Sequence, residues 1–545
     1  MMGDVVGSFK VLHGFKIFCK HGWVAGPPRL FLKSGTNRCN IRSLELPKGF
    51  MGWIILHMLN RRLLGQFSTI KSGCLIMIFF AYAPGVFKES FWSDDYPALM
   101  DTPSFVQHVL RDARPTAAGL FALSFSLLSG PANAWILRSL ALVALLLIFL
   151  FISNRVNNSK YGSIGIFSIA IAFCLPSFQM YIHWSTTWFF LWSTLAGLYS
   201  FHFWISKIMV RKIMAIFLLI LALTIYPPTA LFFFSAIIVI NTLNEFKFSK
   251  TISEVRQGLI LLVISGLFSI LVAVLALQIS GVSANKRVSI LTLSEIPQKI
   301  AWLLTRPLVV GLRPFMIDSP SPKIALITSI PVIVLLLFGI GSQSRHLGES
   351  LVYRAFWSAV PLVLSLIPIM ITSDNQIEFR VLPGYCWGIA VLATYFLLLF
   401  IDSLLGTHIR NIKQKTSVSL LVATIVALIG IVSINSHYSD LIGSPYQKKN
   451  AFLNSKISSC LSRGSISEVF IIAPKLPFPS LPRLGIFSMS TDLASGWVPK
   501  PNVDLLLKER GIRTTAQYLE IRPQDGHKLA TGCVIDLEEF RKSLI

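Results

Sequence analysis

Carboxylates are scarce in this chain and unevenly placed. The 545 residues hold 25 Asp and Glu against 49 Lys and Arg, and from Ala113 to Asn244 there is not one acid. Charged residues of both signs make up only 14% of the sequence, where a soluble globular domain carries about 25%. That shortage excludes an ordinary soluble enzyme. Cysteine is sparse as well: there are seven, and none forms a Cys-x-x-Cys pair, so the ligand spacing of a structural zinc site is missing. His183 and His437 have no ligand-spaced partner either, and no metal site is assigned. No recognition motif or basic helix accompanies the net charge of +24, so nucleic acid is not an expected partner.

What the chain does have is apolar length. Hydrophobic residues reach 53% and mean hydropathy is +0.66. Runs long enough to cross a bilayer need about 20 residues. They recur near Phe67 to Phe87, Asn133 to Ser153, Gly162 to Tyr181, Trp184 to Ile205, Lys212 to Tyr226 and Thr229 to Leu243. Further runs lie near Gly258 to Ser280, Ile324 to Ser342, Ala355 to Thr372, Val381 to Ile401 and Ser417 to Ile434. The expected fold is mainly α, a polytopic membrane protein of about 11 transmembrane helices. The Tyr226-Pro227-Pro228-Thr229 corner could instead be a kink within one long helix.

Charge orients these spans. Residues 1–66 are basic, with Lys10, Lys16, Arg29, Lys33, Arg61 and Arg62 among their cations, which keeps them cytoplasmic. The stretches Asn154 to Lys160, Ser206 to Lys212, Asn244 to Gln257, Gln343 to Arg354 and Asp402 to Thr416 each carry Lys or Arg and fit the inner side. Residues 67–435 then form the transmembrane domain, with outer loops at 88–132 and 281–323. Residues 436–545 fall on the outer side. This tail is polar: "SEVFIIA" at Ser467 to Ala473 and "GCVIDL" at Gly532 to Leu537 read as strands, and Pro501 to Gly511 as a helix. We expect a small α/β extracytoplasmic domain, in which Cys460 and Cys533 are either bridged or two free thiols.

The acids that exist gather just before the acid-free stretch: Glu89, Asp94, Asp95, Asp101 and Asp112. One account is structural. Ser93, Asp94 and Asp95 precede Pro97 as an N-cap precedes a first-turn proline, so Tyr96 to Arg111 reads as one amphipathic surface helix. The other account is chemical. A carboxylate pair at a water–lipid boundary is placed to act as a general base, and Arg111 and Arg114 supply fixed cations for an anion. Base and cation in one loop suit a group transfer whose leaving group is a phosphate.

These residues carry a resemblance. "DDYP" at Asp94 to Pro97, "RDARPTA" at Arg111 to Ala117, "YPPTA" at Tyr226 to Ala230 and "FRVLPG" at Phe379 to Gly384 resemble the phage-type serotype-converting O-antigen glucosyltransferases, a group of C-type membrane glycosyltransferases. The likeness runs from about Gly73 to Tyr438. Tyr96-Pro97, Ala113 and Thr116 depart from the family pattern, which reads Asp-Asp-Leu-x-Arg and then Asp-Gly-Arg-Pro-Leu.

The resemblance implies an inverting transferase that moves a hexose, by expectation glucose, from undecaprenyl phosphate to O-antigen or a related surface glycan. The partners it implies are a lipid-linked sugar donor, a polysaccharide or lipid-linked glycan acceptor and the lipid bilayer; its place would be the periplasmic side of a bacterial inner membrane. Asp94 or Asp95 would be the base, and Arg114, Arg306, Arg313 and Arg380 would hold the donor phosphate. No cofactor is assigned, although Asp94, Asp95 and Asp101 are the oxygen-rich kind of group a divalent cation needs. Snorkelling anchors are the plain account of Arg306 and Arg313, each followed by Pro, and an ion pair with Glu378 that of Arg380. Alternatives are another sugar, a lipid A-type or teichoic-type acceptor, or a transporter or flippase for a lipid-linked saccharide. A transporter would show paired halves with mid-depth charge, and no such repeat is visible.

Overall fold

Prolines break some of the apolar runs and are carried within others, as Pro84, Pro331 and Pro361 are. The computed structural model describes residues 69–543 apart from 89, 92–93, 129, 157–160, 246–247, 286–287, 314–321, 376–378, 409–424, 426–427, 429, 433, 437, 463, 465–467, 475–497 and 520–531. The chain divides into two compact units, Met1–Trp53 and Ile54–Ile545. The basic segment expected over 1–66 and most of the span expected over Ser417 to Ile434 lie outside the described residues.

The described chain is mainly helical, and five of its helices are long and apolar enough to cross a membrane: Thr69–Phe87, Pro131–Ser153, Phe248–Ser280, Leu326–Leu347 and Pro383–Leu404. In chain order the elements begin with α1 (Thr69–Phe87), α2 (Asp95–Met100), α3 (Thr102–Arg111), α4 (Pro115–Ser126) and α5 (Trp135–Ser153). The run expected over Gly162 to Tyr181 is two pieces, α6 (Gly162–Phe173) and α7 (Pro176–His183), because Pro176 cannot donate the amide a continuous helix needs. Next come α8 (Phe190–Trp204) and α9 (Met209–Ile225). Of the two readings of the Tyr226 corner, the structure takes the break: α9 ends, Tyr226 is extended at φ −158° and ψ 101°, and the chain restarts as α10 (Pro227–Ala230) and α11 (Phe232–Leu243). Gly197 makes that corner packable, since a Cβ there would run into the Ala230 carbonyl.

Beyond it lie the 33-residue α12 (Phe248–Ser280), then α13 (Ile296–Thr305), α14 (Pro307–Gly311), α15 (Pro322–Leu347), α16 (Leu351–Leu364), α17 (Ile367–Ile371) and α18 (Pro383–His408). In its most apolar window Pro383–Leu404 is 78% buried, while Phe248–Ser280 is 22% and Leu326–Leu347 17% buried. The first is the packed centre of the bundle. The other two expose apolar side chains such as Leu267, Phe268, Leu271 and Phe338, the surface a helix presents to lipid rather than water.

The C-terminal part is an α/β module within the same compact unit. It comprises α19 (Ser444–Leu461), β1 (Val469–Ile472), α20 (Pro499–Glu509), β2 (Ala516–Leu519), β3 (Cys533–Asp536) and α21 (Leu537–Ser543). The strands form a parallel sheet in the order β2-β1-β3, with Val469 opposite Ala516 on one side and Cys533 on the other. All four residues of the central β1 are buried, as a parallel strand covered on both faces requires. Leu453, Ile457, Val503, Leu507, Ile535 and Phe540 close the core around it. Cys460 and Cys533 are joined by a disulfide, Cα to Cα 5.4 Å, across 73 residues.

Candidate functional site

The acidic loop owes its path to a buried guanidinium. Arg138, near the start of α5 and 1% exposed, donates to the carbonyls of Gly85 (3.4 Å), Lys88 (2.9 Å) and Ser90. Carbonyls at a helix C-terminus have no partner within the helix, and here one cation bonds the Gly85 carbonyl in the last turn of α1 and those of Lys88 and Ser90 just past its end. Downstream, the Phe91 and Tyr96 rings meet edge to face at 5.5 Å and pack with Ala134, Tyr446, Val498 and Leu505. The nearly buried Lys449 of α19 donates to the Tyr96 hydroxyl at 2.7 Å and sits 4.2 Å from its ring centre. The loop is thus held from below by the helical bundle and from the side by the C-terminal module.

Asp94 and Asp95 are adjacent in sequence and parted in space. Asp95 is fully buried and accepts the backbone N–H groups of Thr186 (2.8 Å) and Ser185 (3.4 Å), which open a short 3₁₀ turn at Ser185–Thr187. Asp94 makes no side-chain cap bond to α2 and lines a cavity of about 1480 Å³. The single amphipathic helix expected over Tyr96 to Arg111 is two, α2 and α3. Asp101 interrupts them at φ −137° and ψ 63°, and its carboxylate caps α3 by accepting from the Ser104 amide at 3.3 Å. Pro103, which has no N–H to donate, adds to the interruption.

A second carboxylate reaches the cavity through a strained turn. Ala113 has φ 57°, a left-handed conformation that costs a non-glycine residue about 1 kcal/mol. The reversal brings Asp112 and Arg114 into an ion pair. Asn285 fixes it from the distant 281–295 loop, donating its side-chain amide to Asp112 Oδ1 at 3.1 Å and its backbone N–H to the Arg111 carbonyl at 2.7 Å. The Arg114 guanidinium lies 5.6 Å from the Tyr226 ring centre, and that ring stacks on Phe190 at 3.9 Å. Thr116 and Thr224 share a hydroxyl hydrogen bond of 2.7 Å that fastens α4 to α9.

The cavity's polar part thus holds Asp94, Asp101, Asp112, Arg114 and Arg380. Arg380 sits 5.5 Å from the Trp184 ring centre, and its carbonyl accepts from the Tyr181 hydroxyl at 2.7 Å. Its apolar part is lined by Phe121, Leu223, Leu231, Leu262, Ile270 and Ala273, the last three along α12. Because α12 also exposes apolar side chains such as Leu267, Phe268 and Leu271, one helix separates this end from an exposed apolar surface.

The rim near Asp374 is stitched to the 281–295 loop by an Ile290–Thr372 bridge and by Ser373 N–H to the Ser289 carbonyl, 3.0 Å. Lys299 adds bonds to the Asp374 carbonyl (2.6 Å) and Asn375 Oδ1 (2.9 Å). Burial lowers the Lys299 ammonium from its ordinary value, while Asp374 and Glu295 act the other way.

Of the four arginines assigned to a phosphate, the structure brings two together. Arg114 and Arg380 line the cavity; Arg306 and Arg313 are not among its lining residues. Arg306 is exposed at the end of α13, and Arg313 is buried just beyond α14. Pro307, after Arg306, starts α14. Reading the sequence also passed over Asp112 as a site residue, and over Lys500, Lys508 and Arg513 of the C-terminal module, all of which line the cavity. Its place in the acidic cluster between Arg111 and Arg114 was the available signal for Asp112. None marked the other three. Among the described residues no group of three or more His, Cys, Asp or Glu could hold a metal ion.

Comparison with protein-family models finds no match to this chain, and comparison with curated proteins finds none either.

Proposed function

We propose that the protein is an inverting membrane glycosyltransferase that moves a hexose, glucose by the resemblance of its loops, from undecaprenyl phosphate to O-antigen or a related surface glycan on the outer side of a bacterial inner membrane. One observation carries the reading: Asp94 shares a cavity of about 1480 Å³ with Arg114 and Arg380, and that cavity continues into an apolar wall on α12. An amphiphile with an anionic head and a long hydrocarbon tail matches both ends.

In the proposed reaction the acceptor hydroxyl oxygen bonds to the anomeric carbon from the face opposite the phosphate. The carbon–oxygen bond to phosphate breaks, its electron pair stays on the phosphate oxygen, and the hydroxyl proton passes to Asp94. The transition state is oxocarbenium-like. Arg114 and Arg380 accelerate the step to the extent that they hold the growing phosphate charge better than the ground state. Asp95 acts through position, since its carboxylate already serves the Ser185–Thr187 turn. Asp112 orients Arg114.

The test uses full-length protein in lipid nanodiscs with labelled undecaprenyl-phosphate glucose and a polysaccharide acceptor. Transfer by the wild type, lost in Asp94→Asn with unchanged thermal stability, supports the reading. Undiminished transfer by Asp94→Asn removes the base, and no transfer from any polyprenyl-phosphate sugar removes the function.

A further inference from the structure

The helical wall accounts for the donor and leaves the wall from the C-terminal module without a role. Lys500, Asp504, Lys508, Arg513, Thr514 and Tyr518 all line the cavity. Asp504, the carboxylate this wall contributes, is already engaged: it accepts from Lys500 Nζ at 2.7 Å and from the Ala516 amide at 2.6 Å. Among the described residues neither Lys508 nor Arg513 is paired with a carboxylate. Both are exposed. They flank the turn at Gly511, whose φ of 73° reverses the chain between α20 and β2, so two cations face the cavity from one rigid corner.

This wall differs from the Arg114 and Arg380 region in what surrounds it. Most of the apolar lining comes from the helical bundle, with Pro501 and Ile512 the module's share, whereas the module's polar lining sets the exposed cations Lys508 and Arg513 beside hydroxyls (Thr514, Thr515) and a phenol ring (Tyr518). A single lipid phosphate needs one cationic pocket beside a hydrocarbon path. Spaced, solvent-accessible cations among hydroxyls and an aromatic face fit an extended, hydrated polyanion instead.

We infer that the Lys508 and Arg513 wall docks the acceptor, and that the acceptor is an acidic glycan bearing carboxylate or phosphate groups along its length. The inference rests on the reading of the cavity as a transfer site with a lipid-linked donor. It assigns the module a share in choosing the substrate, with the chemistry left to the bundle. Exposed cations of this kind act through the local field, so the selectivity is largest at low ionic strength.

The experiment compares binding of an oligogalacturonide and a neutral malto-oligosaccharide of equal length to full-length protein in nanodiscs at low salt, with undecaprenyl phosphate as a third ligand. The wild type is expected to prefer the acidic oligosaccharide by about tenfold or more. Lys508→Glu combined with Arg513→Glu should abolish that preference, leave undecaprenyl phosphate binding unchanged and keep the melting temperature. The milder pair Lys508→Gln and Arg513→Gln should fall between. Equal affinities in the wild type, or a preference that survives charge reversal, would overturn the inference while the transfer reading stands. Loss of undecaprenyl phosphate binding in the reversal pair would overturn it too, by giving these cations to the donor. Failure of undecaprenyl phosphate to bind the wild type would overturn the transfer reading, and this inference with it.

Discussion

The two walls of the cavity are built from opposite materials. The bundle wall carries Asp94, Asp101 and Asp112 beside apolar side chains, and named partners fix much of its polar framework: Asp95, behind the lining, by two backbone amides, Arg114 by Asp112, and Arg138, also behind the lining, by three carbonyls. The module wall comes from a small parallel sheet stapled by Cys460–Cys533, and its cations Lys508 and Arg513 stand exposed. Buried polar groups are costly unless satisfied, so the first wall is suited to precise placement of reacting atoms. Hydrated cations on the second wall are suited to recognition that tolerates variation.

The comparison breaks most sharply at Asp94 and Asp95. Asp94→Asn should lower turnover about a thousandfold, the size of a lost general base, without moving the melting temperature. Asp95→Asn should instead destabilise the fold by about 1–3 kcal/mol, as a buried amide loses its acceptor. Thermal unfolding and single-turnover rates on both variants separate the two roles, and equal behaviour would erase the distinction.

Next in size is the staple. Replacing Cys460 and Cys533 by Ser should cost the module about 4 kcal/mol by the loop-entropy account for this separation, seen as an early transition in proteolysis, while the bundle keeps its own melting step. Arg138→Leu should do the reverse. Stripping three carbonyls of their partner costs about 3 kcal/mol and should loosen the acidic loop, read as faster hydrogen exchange around Ser90 to Tyr96, with the module unaffected.

The smallest expected effect sorts three of the arginines. Arg114→Ala and Arg380→Ala should each weaken undecaprenyl phosphate binding about tenfold, within the range of a charge-assisted hydrogen bond. Arg306→Ala should change it less than about twofold, as for an exposed charge remote from the ligand. A larger effect at Arg306 than at Arg114 would move the phosphate out of the cavity.

Much of the bundle is legible in the apolar runs, because a stretch long enough to cross a bilayer can be read without knowing its neighbours. Pro176 and the Pro227–Pro228 corner show the limit. A proline marks a weak point, and whether it bends or breaks a helix depends on what packs there; at the corner Gly197 admits the Ala230 backbone, and the break wins. Strands in the tail fall at Val469–Ile472 and Cys533–Asp536, inside the stretches read as strands, because both are short β-branched runs. The strand Ala516–Leu519 was missed: "AQYL" has no such run, and its pairing with β1 supplies the reason it exists.

The candidate site was legible only in part. Asp94, Arg114 and Arg380 stand out as charges beside long apolar segments, and all three reach the cavity. Arg306 and Arg313 stand out for the same reason and do not. Asp112 and Asn285 are brought together across 173 positions, a distance over which one sequence carries no record of contact.

Composition and run length alone determined that this chain is mainly helical with helices long and apolar enough to cross a membrane and that five acids gather just before an acid-free stretch, since hydrophobic transfer depends on each segment's own side chains. Which carboxylate of an adjacent pair faces the cavity, which arginines join it and which C-terminal cations complete it were decided by tertiary structure. Those choices depend on hydrogen bonds and packing between segments hundreds of residues apart, and no local pattern encodes them.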